Sequence, residues 1–117
     1  MRPEDNEQSA LFDWAKMSHG RYPELAFFFS IPNGGYRPIV TALKMKATGT
    51  LKGVCDTFLP IARHGKNGLF IELKIHPNKP SPEQLEFIDF VTQQGYLAVI
   101  CWSAEEAIQT IEDYLGT

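Results

Sequence analysis

Gly68-Leu69-Phe70-Ile71-Glu72-Leu73-Lys74-Ile75 decides how this chain folds. Leu69 to Ile75 reads as a strand: it is rich in β-branched and aromatic residues and bounded by glycine on one side and proline on the other. Side chains alternate along a strand, so Ile71, Leu73 and Ile75 take one face and Phe70, Glu72 and Lys74 the other. A carboxylate set among apolar neighbours is costly unless a partner or a cation compensates it. A second run, Val54 to Ile61, carries a single acid, Asp56, and Arg63 to Gly68 is a polar turn between the two. The pair reads as a hairpin that brings Asp56 towards Glu72.

Working outward, Asn6 to Met17 has helical spacing, with Leu11, Trp14 and Ala15 on one face and His19-Gly20 as its stop. Glu7 lies four residues before Leu11 and so points to the same, core-facing side. Ala26 to Ile31 reads as a short buried strand, broken by the turn residues Pro32-Asn33-Gly34-Gly35. Pro38 to Ala47 reads as a helix with proline in its first turn and Lys44 and Lys46 near its end. Thr48 to Gly53 is a loop. Ser81-Pro82-Glu83-Gln84 combines a capping box with proline at the first helical position, predicting a helix to Gln94 that stops at Gly95. Gln84 shares a face with Phe87, Ile88 and Val91 and so points inward. Tyr96 to Trp102 is a strand, and Ser103-Ala104-Glu105-Glu106 is a second capping box opening a helix to Leu115. The order α-β-α-β-β-α-β-α is that of an α/β fold, a mixed four-stranded sheet with helices on its faces.

The length, 117 residues, suits one domain spanning 1–117. No apolar run is long enough to cross a membrane, and Met1 to Gln8 is too polar for a secretory signal, so the expected location is cytoplasmic. Cys55 and Cys101 have no metal-ligand spacing and sit in apolar segments, as buried reduced thiols do. The net charge of −3 argues weakly against nucleic acid, but its distribution argues the other way. Residues 37–79 hold eight Lys and Arg against only Asp56 and Glu72, whereas residues 80–117 hold seven acids and no Lys or Arg. An anionic site embedded in a phosphate-binding surface has this pattern, and so does a solvated basic face. Arg37, Lys44, Lys46 and Lys52 are candidate phosphate contacts or ordinary solvated cations. Asn33 and Gly34 open a loop able to approach a DNA backbone, or a plain turn. His19, His64 and His76 have no zinc spacing and are expected at the surface, and Trp14 and Trp102 are expected as core anchors.

The chemical reading is that Asp56 and Glu72 converge to hold a divalent cation such as Mg²⁺, with the backbone carbonyl of Leu73 as a further oxygen ligand and Glu7 reaching it through water. The metal would polarise a scissile phosphate and lower the pKa of a bound water. Lys74 would orient that water and offset charge on phosphorus. Gln84 would position Lys74 or a water. The competing reading makes Glu72 and Lys74 a solvent-facing pair on an edge strand and Asp56 a strand-end acid. The residues alone leave both open.

The ordered set Glu7-Gln8, Pro32-Asn33-Gly34-Gly35, Lys46 through Gly49 to Gly53-Val54-Cys55-Asp56, Gly68 to Lys74, Ser81 to Gln84 and Gly95-Tyr96 resembles the virus-type replication-repair nuclease (VRR-NUC) domain. This is a branch of the PD-(D/E)-x-K nuclease superfamily. The family usually has proline before the catalytic Asp, where this chain has Cys55. The resemblance implies a restriction-endonuclease-like core and Mg²⁺ or Mn²⁺ dependence, with no organic cofactor. It implies hydrolysis of DNA phosphodiesters with Glu7, Asp56, Glu72, Lys74 and Gln84 as the catalytic set. Short members are associated with phages and their bacterial hosts, and with homodimers that cut branched DNA, particularly four-way (Holliday) junctions. A two-fold dimer presents two active sites to a junction of approximate two-fold symmetry. A flap or general DNA nuclease of the same fold, or a non-catalytic DNA-binding module, are the alternatives.

Overall fold

A computed structural model of the chain describes residues 3–32 and 39–116. Asn33, Gly34 and Arg37 lie outside them. The elements are α1 (Pro3–Met17), a 3-10 turn (Pro23–Phe27), β1 (Phe29–Ser30), α2 (Ile39–Ala47), β2 (Thr57–Leu59), β3 (Leu69–Leu73), α3 (Pro82–Gln93), β4 (Leu97–Cys101) and α4 (Ala104–Leu115). The strands form one mixed sheet in the order β1-β2-β3-β4. β3 pairs antiparallel with β2, Thr57 opposite Ile71 and Leu59 opposite Leu69, and parallel with β4, Leu69 opposite Leu97 and Leu73 opposite Cys101. The decisive stretch is therefore an interior strand, which removes the edge-strand reading of Glu72 and Lys74.

The two faces of β3 are covered by different helices. Leu69, Ile71 and Leu73 are sealed against Leu11 and Ala15 of α1 and Ala107, Ile111 and Tyr114 of α4. Each fully buried aliphatic side chain there stabilises the fold by about 1.5–3 kcal/mol over an exposed one. On the opposite face Phe70 packs against Phe58, ring centroids 4.3 Å apart and tilted by 30°, and meets Phe87 of α3 edge-on at 5.3 Å.

Several elements depart from the expected bounds: α1 begins at Pro3, ahead of Asn6, and β3 ends at Leu73, short of Ile75. Ala26 to Ile31 is not one buried strand: the chain makes a 3-10 turn from Pro23 and then the exposed two-residue β1. The reason is a three-residue spacing, with Leu25 and Phe28 buried and Ala26 and Phe27 exposed, which fits a 3-10 period and not a strand. β2 is shorter than Val54 to Ile61. Pro60 has no N–H to extend it, and the Asp56 side chain takes the Leu73 amide that a longer ladder would use.

Both capping signals form, the second only in part. Ser81 accepts from the Gln84 amide while the Gln84 side chain accepts from the Ser81 amide. Ser103 accepts from the Glu106 amide, but the Glu106 carboxylate accepts from Trp102 N–H instead of closing a box. The loop before β2 passes so close to the head of α3 that a Cβ on Gly53 (φ +96°) would sit 2.6 Å from the Glu83 carbonyl oxygen. That contact ties the Asp56 segment to the helix that carries Gln84.

Candidate active site

Register does most of the assembly. Antiparallel partners share a face, so the position before Thr57 falls opposite Glu72, on the side covered by α3. Asp56 is held there through its backbone, whose carbonyl accepts from Ile31 N–H at 2.7 Å, and through its side chain, whose Oδ2 accepts from Leu73 N–H at 2.8 Å. Glu72 is only 2% exposed. Its Oε2 accepts from Gln84 Nε2 at 2.7 Å and lies 3.4 Å from Lys74 Nζ. Its Oε1 is buried and accepts no hydrogen bond among the described residues.

Gln84 is fixed from both ends. Its Oε1 is occupied by Ser81 N–H, so the amide must turn its Nε2 towards Glu72. Sequence reading placed Gln84 inward but expected it to contact Lys74 or a water. The structure has it on Glu72.

The electrostatics are those of a compressed anionic pair. Burial raises the Glu72 carboxyl from 4.5 to about 8, with the Asp56 charge adding to the rise and Lys74 opposing it. Burial also raises Asp56, against the lowering effects of the Leu73 amide and Lys74. Cys55, where the sequence pattern usually has proline, is pushed up to about 12 by burial and by Glu72 and Asp56, so it is an inert thiol beside the site. Both cysteines are free and buried, as expected.

A buried carboxylate oxygen without a hydrogen bond among the described residues, with the charge of a second carboxylate acting on it, is chemistry that a hard cation would fit. The donor set fits a hard ion: two carboxylates, with the Leu73 carbonyl one atom group from the amide that Asp56 holds. Among the described residues no cluster of three or more His, Cys, Asp or Glu is placed to hold a metal. Such a set suits Mg²⁺, which is commonly bound by one or two carboxylates with waters and phosphate oxygens completing the shell.

The other expected residues divide. Glu7 Oε1 accepts from Ala104 N–H at 3.0 Å, placing a carboxylate at the start of α4, where a negative charge is favoured. It is Glu4, one turn earlier on α1, whose charge acts on both Asp56 and Glu72. Glu4 lies off the apolar side of the helix, so helical periodicity does not single it out. The available signal was the three-residue spacing from Glu4 to Glu7, which puts both near one face. Lys44, Lys46 and Lys52 are exposed, the first two on α2 and the third in the loop that follows. His76, two residues beyond Lys74, is exposed and stacks at 4.2 Å on Trp102, which is half-buried and not a core anchor.

With this geometry in hand, the chain was compared with known proteins. The family model described as the VRR-NUC domain matches residues 2–105. A solved structure titled "VRR_NUC domain protein" superposes with a TM-score of 0.82 at 27% identity, over 98% of this chain and 89% of that one. No curated protein matches. No helix among the described residues is long and apolar enough to cross a membrane. A restriction-endonuclease-like α/β core, an Asp/Glu/Lys site on adjacent strands and a family match over most of its length place the chain in the VRR-NUC domain family, nucleases of the PD-(D/E)-x-K type.

Proposed function

We propose that the protein is a divalent-metal-dependent DNA endonuclease that cuts branched DNA, four-way junctions in particular, as a homodimer. The observation that supports the metal dependence is Glu72: Oε2 is engaged by Gln84 and Lys74 while the buried Oε1 has no hydrogen-bond partner among the described residues. Asp56, Glu72 and the Leu73 carbonyl would hold Mg²⁺ or Mn²⁺. A cation held there supplies Lewis-acid polarisation of the scissile phosphate and a lowered pKa for the attacking water.

The chain's own residues do the rest. Gln84 locks the Glu72 rotamer from α3. Leu73 N–H locks Asp56, so the two carboxylates are positioned before substrate arrives. Lys74, with its side chain only 11% exposed and its Nζ 3.4 Å from Glu72 Oε2, would offset charge that develops on the phosphoryl oxygens. Glu4 of α1 is the further carboxylate whose charge acts on Asp56 and Glu72 and could hold solvent there, while Glu7 is committed to the Ala104 amide at the head of α4.

The test is cleavage of labelled four-way junction, flap and linear duplex with Mg²⁺ or Mn²⁺ by the wild type, Glu72→Ala and Lys74→Ala. Metal-dependent cutting of the junction that both variants lose is expected. No cleavage of any DNA with either metal would overturn the catalytic reading, leaving a DNA-binding module. Equal cutting of all three substrates would make it a general nuclease.

A further inference from the structure

Among the described residues, α2 has the least packing against other helices and strands. Its sequence, Ile39-Val40-Thr41-Ala42-Leu43-Lys44-Met45-Lys46-Ala47, is largely apolar, yet no other helix or strand packs extensively against it among the described residues. Leu43 is 63% exposed. A nine-residue helix is too short to hold itself together in water, where isolated helices below about 12–15 residues are marginal. Such a helix needs a surface to lie on.

The same chain has a surface of the opposite character. The outer side of α3 and the loop before β2 enclose a groove of about 610 Å³. Its apolar floor includes Phe87, Phe90 and Leu51, and Phe90 is 59% exposed. Glu83, Glu86 and Asp89 line it against one cation, Lys52. α2 carries Lys44 and Lys46 in its last turn and no acid. An apolar helix with a basic end and an apolar groove with an acidic rim are complementary in both shape class and charge.

We propose that the occupant of the groove is a second copy of this chain: α2 of each protomer seats on α3 of the other, in a two-fold interface. The contact is reciprocal, as a two-fold axis requires, and buries Leu43 of α2 and the exposed Phe90 of the groove at once. It assigns Lys44 and Lys46 to the partner's Glu86 and Asp89, not to DNA phosphate. It rests on the homodimer reading above and specifies the surface.

Sedimentation equilibrium of four samples tests it. The wild type is expected as a dimer. Lys44→Glu with Lys46→Glu, and separately Glu86→Lys with Asp89→Lys, set like charges face to face and are each expected to raise the dimer dissociation constant by about a hundredfold or more. Mixing the two reversed proteins restores opposite charges at both contacts, so a one-to-one heterodimer is expected. A wild type that is monomeric at every concentration overturns the proposal and the homodimer reading together. Reversed variants that dimerise as the wild type does overturn the surface while leaving the homodimer intact. Leu43→Ser and Phe90→Ser, both at exposed positions, give a charge-independent check. Each is expected to weaken the dimer, and an unchanged dissociation constant for both counts against the interface.

Discussion

On one face of β3, the side chains of Leu69, Ile71 and Leu73 are closed over by α1 and α4 and buried in the apolar core. On the other, Glu72 is almost as deeply buried, but with a carboxylate oxygen that receives no hydrogen bond and a second carboxylate nearby. The same five residues thus stabilise the fold from one side and destabilise it from the other. The apolar face follows the rule that burial favours folding. The acidic face breaks it, and a break of that kind is tolerated only where the rest of the structure holds it in place. Neighbouring elements supply that support: the Gln84 amide, the Leu73 amide, and the contact of Gly53 with Glu83.

The contrast yields predictions of decreasing size. Glu72→Ala is expected to lower metal-dependent cleavage by about a thousandfold or more, since it removes a ligand and the partner of Lys74. Ile71→Ala, one residue away on the apolar face, is expected to do the reverse. It should cost about 2–5 kcal/mol of stability in a denaturant titration while leaving cleavage per folded molecule near wild type. If Ile71→Ala abolished activity at full stability, the division between the faces would be wrong.

The third prediction concerns pH. In the metal-free protein Glu72 is protonated in both folded and unfolded chains below about 4.5. As pH rises, the unfolded chain releases that proton first, because the folded-state value is raised to about 8. The contribution of Glu72 to stability therefore falls through this window and is lowest above it. A metal-free Tm profile checks the sign. Glu72→Gln should flatten that decline, and a profile that rises with pH equally in both proteins would contradict it.

The smallest effect concerns α3. Gln84→Glu keeps an acceptor for Ser81 N–H but replaces the donor to Glu72 with a like charge, whereas Gln84→Ala loses both. The alanine variant should cost about 1 kcal/mol through the cap. The glutamate variant should retain the cap and lower cleavage more than alanine does.

Much of this was legible in the sequence, for identifiable reasons. Glu72 and Lys74 were visible because a period-2 pattern in an apolar strand makes charged residues conspicuous. Asp56 followed from hairpin register, and Gln84 from a capping box whose third residue also faces inward. Element order followed from turn and cap chemistry. What stayed hidden depends on tertiary contacts. Ala26 to Ile31 resembles a strand in its aromatic content, whereas the three-residue spacing of Leu25 and Phe28 belongs to the 3-10 turn at Pro23–Phe27. The half-formed box at Ser103 depends on where the Glu106 side chain finds a better donor. The roles of Glu4 and Glu7 depend on where α1 crosses the sheet relative to the head of α4, which helical periodicity alone does not fix.

The central proposal is that the buried Glu72 carboxylate would serve as a ligand to a divalent cation. Thermal unfolding of the wild type and Glu72→Gln, each with and without Mn²⁺ or Mg²⁺, tests it most directly. Glu72→Gln should melt higher than the wild type without metal. Added metal should stabilise only the wild type, by about 2.7 kcal/mol at a hundred times the dissociation constant. Equal shifts in both proteins, or no shift in the wild type with either ion, would contradict the account.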